Sequence, residues 1–138
     1  MKARLHTVLE LRQRNEAEAK RVVGVLERER SDLVAMRAAI ERDLDQAASA
    51  AVPPALREQL ATFATACRAA AVACDQRTAA CDGRINTARS LLATAHREVR
   101  AIEALQARDR SAAARTASRR EGRENDAFAA RRHQETHP

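Results

Sequence analysis

The chain has 138 residues, enough for one domain at most, and a formal net charge of +6. Its hydrophobic fraction is 45%, but much of that is alanine, and the chain has two Phe and no Trp or Tyr. So little bulky apolar surface cannot fill a three-dimensional core. Because Gly and Pro are few and strong helix formers abundant, the composition instead favours long helices that meet along a narrow seam.

Apolar residues recur every seven positions through roughly the first 50 residues. One phase contains Leu5, Ala19, Leu26, Leu33, Ile40 and Ala47, with Arg12 as its one interruption. The companion stripe contains Val8/Leu9, Val22/Val23, Met36 and Leu44, with polar Asn15 and Glu29 between them. This heptad repeat is typical of a coiled-coil seam and predicts a first helix over about residues 3–50.

The repeat stops at Ala-Val-Pro-Pro, residues 51–54. Pro53 and Pro54 push the residues before them out of the α region, whereas Pro54 suits the first turn of a new helix. We therefore predict a turn over about residues 51–54.

A second seven-residue repeat follows this turn. One phase contains Leu60, Cys67, Cys74, Cys81, Ala88, Ala95 and Ile102. The stripe beside it contains Leu56, Phe63, Ala70, Ile85, Leu91/Leu92, Val99 and Leu105. The repeat predicts a second helix, about residues 55–130, that folds back antiparallel so that opposing residue numbers add to roughly 105. Val22 to Leu26 would then face Cys81, and Leu33 the Cys74 region.

The predicted fold is all-α: one domain, residues 1–138, in which two long helices form an antiparallel coiled-coil hairpin. The second helix overhangs the first, because residues 106–138 have no opposing segment. Those residues are polar all round and include Gly122. We expect a frayed tail over residues 122–138, unless a partner orders it.

The three cysteines could suggest redox or metal chemistry. Their spacing of seven puts neighbours about 10 Å apart on one helical stripe, too far for a disulfide or a shared metal. We interpret Cys67, Cys74 and Cys81 as small apolar seam residues. His6 and His96 could approach each other, but no nearby spacing supplies further ligands. We expect no catalytic residue, metal or cofactor, since a two-helix hairpin has no interior for a pocket.

The net charge of +6 makes nucleic acid a candidate partner. Residues 23–96 hold nine basic and nine acidic groups, so the surplus lies in residues 1–22 and 97–138. The chain lacks the several aromatic residues on which proteins that bind single-stranded nucleic acid stack the bases. A basic zipper requires a parallel coiled coil, whereas this hairpin is predicted to be antiparallel. The distribution indicates one local docking surface at the end where both termini meet. A merely solvated charged end, or a basic coiled-coil adaptor for nucleic acid, is the alternative.

The first residues carry charges throughout, so they lack the apolar region of a signal peptide. The longest uncharged run, residues 46–56, is too short to span a bilayer and contains two prolines. We therefore expect a cytosolic protein with reduced cysteines.

Four segments carry a resemblance to a known family: LHTVLELRQRNEAEAKRVVGVL, LREQLATFATAC, HREVRAIEALQARDR and RREGRENDAFAARRH. In this order they resemble the FliJ-type flagellar export proteins, whose relatives are the YscO-type stalk proteins of type III injectisomes. The likeness covers nearly the whole chain.

The resemblance implies a non-enzymatic central stalk and chaperone escort of a bacterial type III (flagellar) export apparatus, with the equivalent stalk of a type III injectisome as the alternative. It implies a cytoplasmic location at the cytoplasmic face of the inner membrane. The implied partners are the hexameric export ATPase, the export-gate membrane protein and export chaperones. No small-molecule substrate is implied, and nucleic acid is disfavoured.

The resemblance also assigns two sets of partner-binding residues. Because family members seat their terminal end in the ATPase ring, the charged end supplies the first set: Arg4, Arg12, Arg108, Arg110, Arg115, Arg119, Arg120, Arg123 and Phe128. The family contacts the export gate through an aromatic and small-apolar stripe early in the second helix. The matching positions here are Leu60, Phe63 and Cys67.

Overall fold

A computed structural model describes residues 2–136 of the chain. Two long helices account for nearly all of them: α1, Lys2–Ser49, and α2, Arg57–Thr136, with a short 3-10 helix, Pro54–Leu56, before α2. The described residues contain no strand. The all-α prediction is confirmed, and α1 ends within one residue of its predicted end.

The proline pair forms the turn. Pro53 is extended, with φ −56° and ψ 146°, and its carbonyl oxygen accepts a hydrogen bond from the backbone N–H of Leu56 at 2.9 Å. Pro54 occupies the first turn of the 3-10 helix, where its missing N–H leaves no bond unmade. The two prolines therefore separate α1 from α2 in the way their sequence positions predict.

The helix α2 is longer than expected, because it runs through Gly122 without a break and ends at Thr136. The sequence predicts fraying from about residue 122, since a helical glycine costs about 1 kcal/mol relative to alanine. Alanine, arginine and glutamate on either side are strong helix formers and offset that cost.

The described residues group into two compact units. One unit contains residues 14–95, and the other contains residues 2–13 with residues 96–136. Each unit combines a piece of α1 with a piece of α2.

The unit of residues 14–95 holds a narrow apolar core. Its buried cluster consists of Val23, Leu26, Leu33, Cys81, Ile85 and Ala88, with Val22 and Leu92 packed against it. Cys81 is only 2% exposed, and Cys74 is also buried. Both thiols are free. The interpretation of these two cysteines as seam residues is confirmed.

Ion pairs between the helices show that the two segments of this unit run antiparallel. They are Glu27–Arg89, Glu29–Arg84, Arg30–Asp82 and Arg37–Asp75. As the residue number of the partner on α1 increases, the residue number of the partner on α2 decreases. The predicted register would put residue 68 opposite Arg37, so the partner Asp75 lies about two turns farther along α2. An arginine side chain can extend along the helix axis, which accounts for part of this displacement.

The buried stripe of α2 differs from the predicted one at several positions. Leu56, Phe63 and Leu105 were expected in the seam, yet each is more than 40% exposed. The predicted phase through Cys74 and Cys81 is buried, and the line of buried or half-buried positions beside it is a strict repeat of seven: Ala71, Thr78, Ile85, Leu92, Val99 and Gln106. The predicted stripe was wrong there because it followed bulky residues, whereas the true stripe includes small and polar ones.

No helix in the described residues is long and apolar enough to cross a membrane.

Candidate docking surface

In the unit of residues 2–13 and 96–136, the first turns of α1 pack on the middle of α2. Val99 is buried, and Lys2, Leu5, Gln106 and Arg110 line a shallow hollow of about 310 Å³. The half-buried Arg12 interrupts the apolar seam of α1. Its guanidinium Nη1 lies 2.9 Å from the Glu98 carboxylate, so the charge is neutralised where it enters the seam.

Beyond this hollow, α2 continues alone within the unit. Every residue from 111 to 136 is exposed, and the segment is helical throughout. At 1.5 Å per residue it extends for about 39 Å. We call residues 111–136 the exposed segment. It presents both of its sides to solvent, so any surface that it offers a partner is already uncovered.

Arginine is concentrated on one side of this part of α2. Residues four or seven apart share a helical face, which places Arg108, Arg115, Arg119 and Arg123 on one line. We call these four residues the arginine stripe. The stripe ends at Asp126, one turn after Arg123. Among the remaining predicted contacts, Arg120 lies off this line.

The other side of the exposed segment has a different chemistry. Glu121, Glu124 and Phe128 follow one another at spacings of three and four, so they share a face that points away from the arginine stripe. Phe128 is 63% exposed and is the one bulky apolar residue of the segment. The segment therefore carries a cationic side and an opposite side of mixed charge, where Arg131 and Arg132 join the two glutamates and the single aromatic ring.

The structure brings only part of the predicted ATPase-binding set together. The arginine stripe forms one surface, and Arg110 lines the neighbouring hollow with Lys2. Arg4 is exposed on the first turn of α1. Arg12 is tied to Glu98, and the sequence analysis missed that partner because their positions lie 86 residues apart.

The predicted gate-binding residues lie near the start of α2, in the other unit. Leu60 and Cys67 are half-buried, and Leu60 lines a hollow with Val52, Pro53 and Arg57. Phe63 is 47% exposed. Phe63 is therefore not a core residue of the seam, and its ring is accessible to a partner.

The described residues contain no group of three His, Cys, Asp or Glu side chains placed to hold a metal ion. The resolved pKa shifts belong to one exposed pair: the Arg21 guanidinium, hydrogen-bonded to Glu18, lowers the pKa of that carboxyl and its own pKa rises. Such a pair belongs to a helix surface rather than to a catalytic site.

A family model described as "Flagellar FliJ protein" matches residues 1–137. Comparison with curated proteins and with solved structures finds no significant match.

Proposed function

Since the chain belongs to the FliJ family of flagellar proteins and is a component of the flagellar export apparatus, we propose that it acts there as a docking stalk. In this proposal the exposed segment of α2 seats in the ring of the hexameric export ATPase and stimulates ATP turnover. The protein itself does no covalent chemistry. It works in the cytoplasm, at the cytoplasmic face of the inner membrane.

The observation that supports this role most directly is the exposed segment itself. A helix that is polar all round gains little from packing within its own chain. The arginine stripe, which starts at Arg108 just before this segment, presents four guanidinium groups along one side of α2. Guanidinium groups form strong, oriented hydrogen bonds with carboxylates and carbonyl oxygens. A ring pore lined with acidic or carbonyl-rich loops would therefore complement this side.

We further propose a second contact, with the export gate, through Leu60, Phe63 and Cys67. They follow one another at spacings of three and four on α2 and so share one face. The exposure of Phe63 supports this contact, because an exposed aromatic ring is a common anchor for a partner. The proposed escort of export chaperones is supported only by membership of the family.

The second candidate function, binding of nucleic acid, is favoured by the same arginine stripe. Its weakness is the composition of the exposed segment, where Phe128 is the one aromatic residue. Single-strand binders stack successive bases on several aromatic rings.

Binding measurements on the full chain separate these two functions. Fluorescence anisotropy with the cognate ATPase hexamer should show association that weakens as salt is raised, because the attraction is between exposed charges. Under the same conditions, duplex and single-stranded DNA should bind much more weakly. Equal or tighter binding to DNA would contradict the stalk proposal and support the adaptor.

A further inference from the structure

Each helix of the pair in residues 14–95 contains one glycine, Gly24 in α1 and Gly83 in α2. The side chain of Cys81 contacts the backbone of Leu26, which fixes how the two helices are aligned. Gly24 lies two residues before Leu26, and Gly83 lies two residues after Cys81. Because the helices run antiparallel, both glycines are displaced from this contact in the same direction, by about 3 Å. The two glycines therefore lie at one level of the helix pair.

Close packing does not explain either glycine. Apart from the helix's own backbone, the nearest atom to a Cβ added at Gly24 is 4.0 Å away, at the end of the flexible Arg28 side chain. A Cβ added at Gly83 would meet nothing within 4 Å. The residues that follow the glycines, Val25 and Arg84, line one hollow of about 330 Å³, so this level has open space. Alanine would fit at both positions and favours a helix interior more strongly than glycine does.

The carbonyl oxygen of each glycine has a second donor within reach. In an α-helix the carbonyl of residue i accepts a hydrogen bond from the N–H of residue i+4, which is Arg28 for Gly24 and Thr87 for Gly83. The side chains of these same residues also donate to the carbonyls: Arg28 Nε at 3.4 Å and Thr87 Oγ1 at 3.2 Å. When a bend lengthens the backbone bond, the side-chain donor keeps the carbonyl paired.

We propose that Gly24 and Gly83 form a single hinge, at which the helix pair of residues 14–95 opens and bends as one body. A bend in one helix is resisted by a straight neighbour, because the apolar seam between them would separate. Two weak points at the same level remove that resistance, since both backbones yield together. A docked partner that pulls on the pair would bend it at this level. The hinge does not depend on which partner docks.

The test is amide hydrogen exchange, measured by NMR on the full chain, with Gly24→Ala and Gly83→Ala as separate variants. Gly24→Ala should raise the protection factors of residues 25–28 about fivefold, because alanine favours the closed helix. If one hinge opens both helices, the same variant should raise the protection factors of residues 84–87 on α2 by a similar factor. Gly83→Ala should protect the same two segments.

Gly122→Ala is the matched control. It also replaces a glycine that has open space around it, but the residue four positions later is Asp126, whose carboxylate donates no hydrogen bond. It should protect only its own turn of α2. All protection factors are taken relative to those of the core residues Leu33 and Cys74, so that a general gain in stability cancels. If each of the other two variants protects its own helix alone, the glycines are separate weak points and the proposal is wrong.

A second comparison tests the side-chain hydrogen bond apart from helix propensity. Thr87→Val removes the hydroxyl that bonds the Gly83 carbonyl and keeps the branched shape. Thr65→Val removes the corresponding bond to the carbonyl of Ala61, where no glycine occurs. Thr87→Val should raise the protection of residues 84–87 about threefold, because the bent state loses its donor, whereas Thr65→Val should not raise protection in its own turn. Equal effects of the two variants, or no gain for Thr87→Val, would overturn the proposal.

Discussion

The thiol of Cys81 donates a hydrogen bond to the backbone carbonyl oxygen of Leu26, with 3.4 Å between sulfur and oxygen. The two residues are 55 positions apart, on different helices. A side chain as short as cysteine reaches a backbone atom only where helices approach closely. This contact therefore marks the register within residues 14–95 more tightly than the longer ion pairs do, and it lies close to the predicted pairing of Val22 to Leu26 with Cys81.

The first prediction tests this register. A Leu26→Cys variant, oxidised when dilute, should form a disulfide with Cys81 within one chain, because the two positions already touch. Non-reducing electrophoresis should show a monomer, and peptide mapping should identify Cys81 as the partner. The unsubstituted chain is the control, since its three cysteines lie on one helix and should not crosslink internally. Dimers alone would mean that the helices pair between chains.

The second prediction compares neighbouring residues on the two sides of α1. Leu33 is 3% exposed in the core, whereas Val34 is 47% exposed. Leu33→Ala should lower the free energy of unfolding by about 2–5 kcal/mol, since it leaves a gap in the cluster. Val34→Ala should change it by less than about 0.5 kcal/mol. Urea denaturation followed by circular dichroism measures both, and similar losses would show that this part of the seam is misassigned.

The third prediction concerns Arg12 and Glu98. Both side chains are about 40% exposed, so their ion pair is partly screened by solvent. A double-mutant cycle with Arg12→Ala and Glu98→Ala should give a coupling energy of about 0.2–1 kcal/mol, and the coupling should shrink in high salt. A coupling energy of zero at low salt would contradict the observed pairing.

The fourth prediction separates the two proposed partner contacts with two substitutions of the same kind. Phe63→Ala should weaken binding to the cytoplasmic domain of the export gate and leave binding to the ATPase unchanged. Phe128→Ala should do the reverse. Both rings are exposed, so neither change should alter thermal stability much. Pull-down with each purified partner provides the measurement. Loss of both interactions in both variants would contradict the assignment of separate surfaces.

Periodicity and turn chemistry were enough to predict most of the fold. The phase of Leu5, Leu26 and Leu33 is confirmed by burial, and the proline pair marks the turn. These features depend on residues that lie close together in the chain, so the sequence alone is enough to predict them. The antiparallel order of the helices follows from the same short turn.

The α2 stripe shows where such reasoning fails. Thr78 and Gln106 occupy half-buried positions of the true repeat, although both are polar. The Thr78 hydroxyl bonds the carbonyl oxygen of Cys74 one turn earlier, so it can enter the seam with its donor satisfied. Hydrophobicity alone does not separate Leu91 from Leu92, and it favours Leu105 over Gln106. The register between the two helices decides which side chains of α2 face α1. The pattern of residues along one helix does not contain that register.

The candidate site was predictable as a charged, overhanging end but not as a surface with two chemically different sides. That division required helix to continue past Gly122 to Thr136, because a frayed segment has no fixed faces.

The most direct test of the docking proposal is ATP turnover by the cognate export ATPase hexamer with full-length variants added. Reversal of Arg115, Arg119, Arg120 and Arg123 to Glu should abolish stimulation, with weakened binding most evident at low ionic strength. The matched control reverses four exposed arginines of the other unit, Arg42, Arg57, Arg68 and Arg77, and makes the same change in net charge. It should stimulate normally, and circular dichroism should confirm that both variants stay helical. Full stimulation by the first variant would show that the arginine-rich segment is only a solvated terminus and would contradict the proposed function.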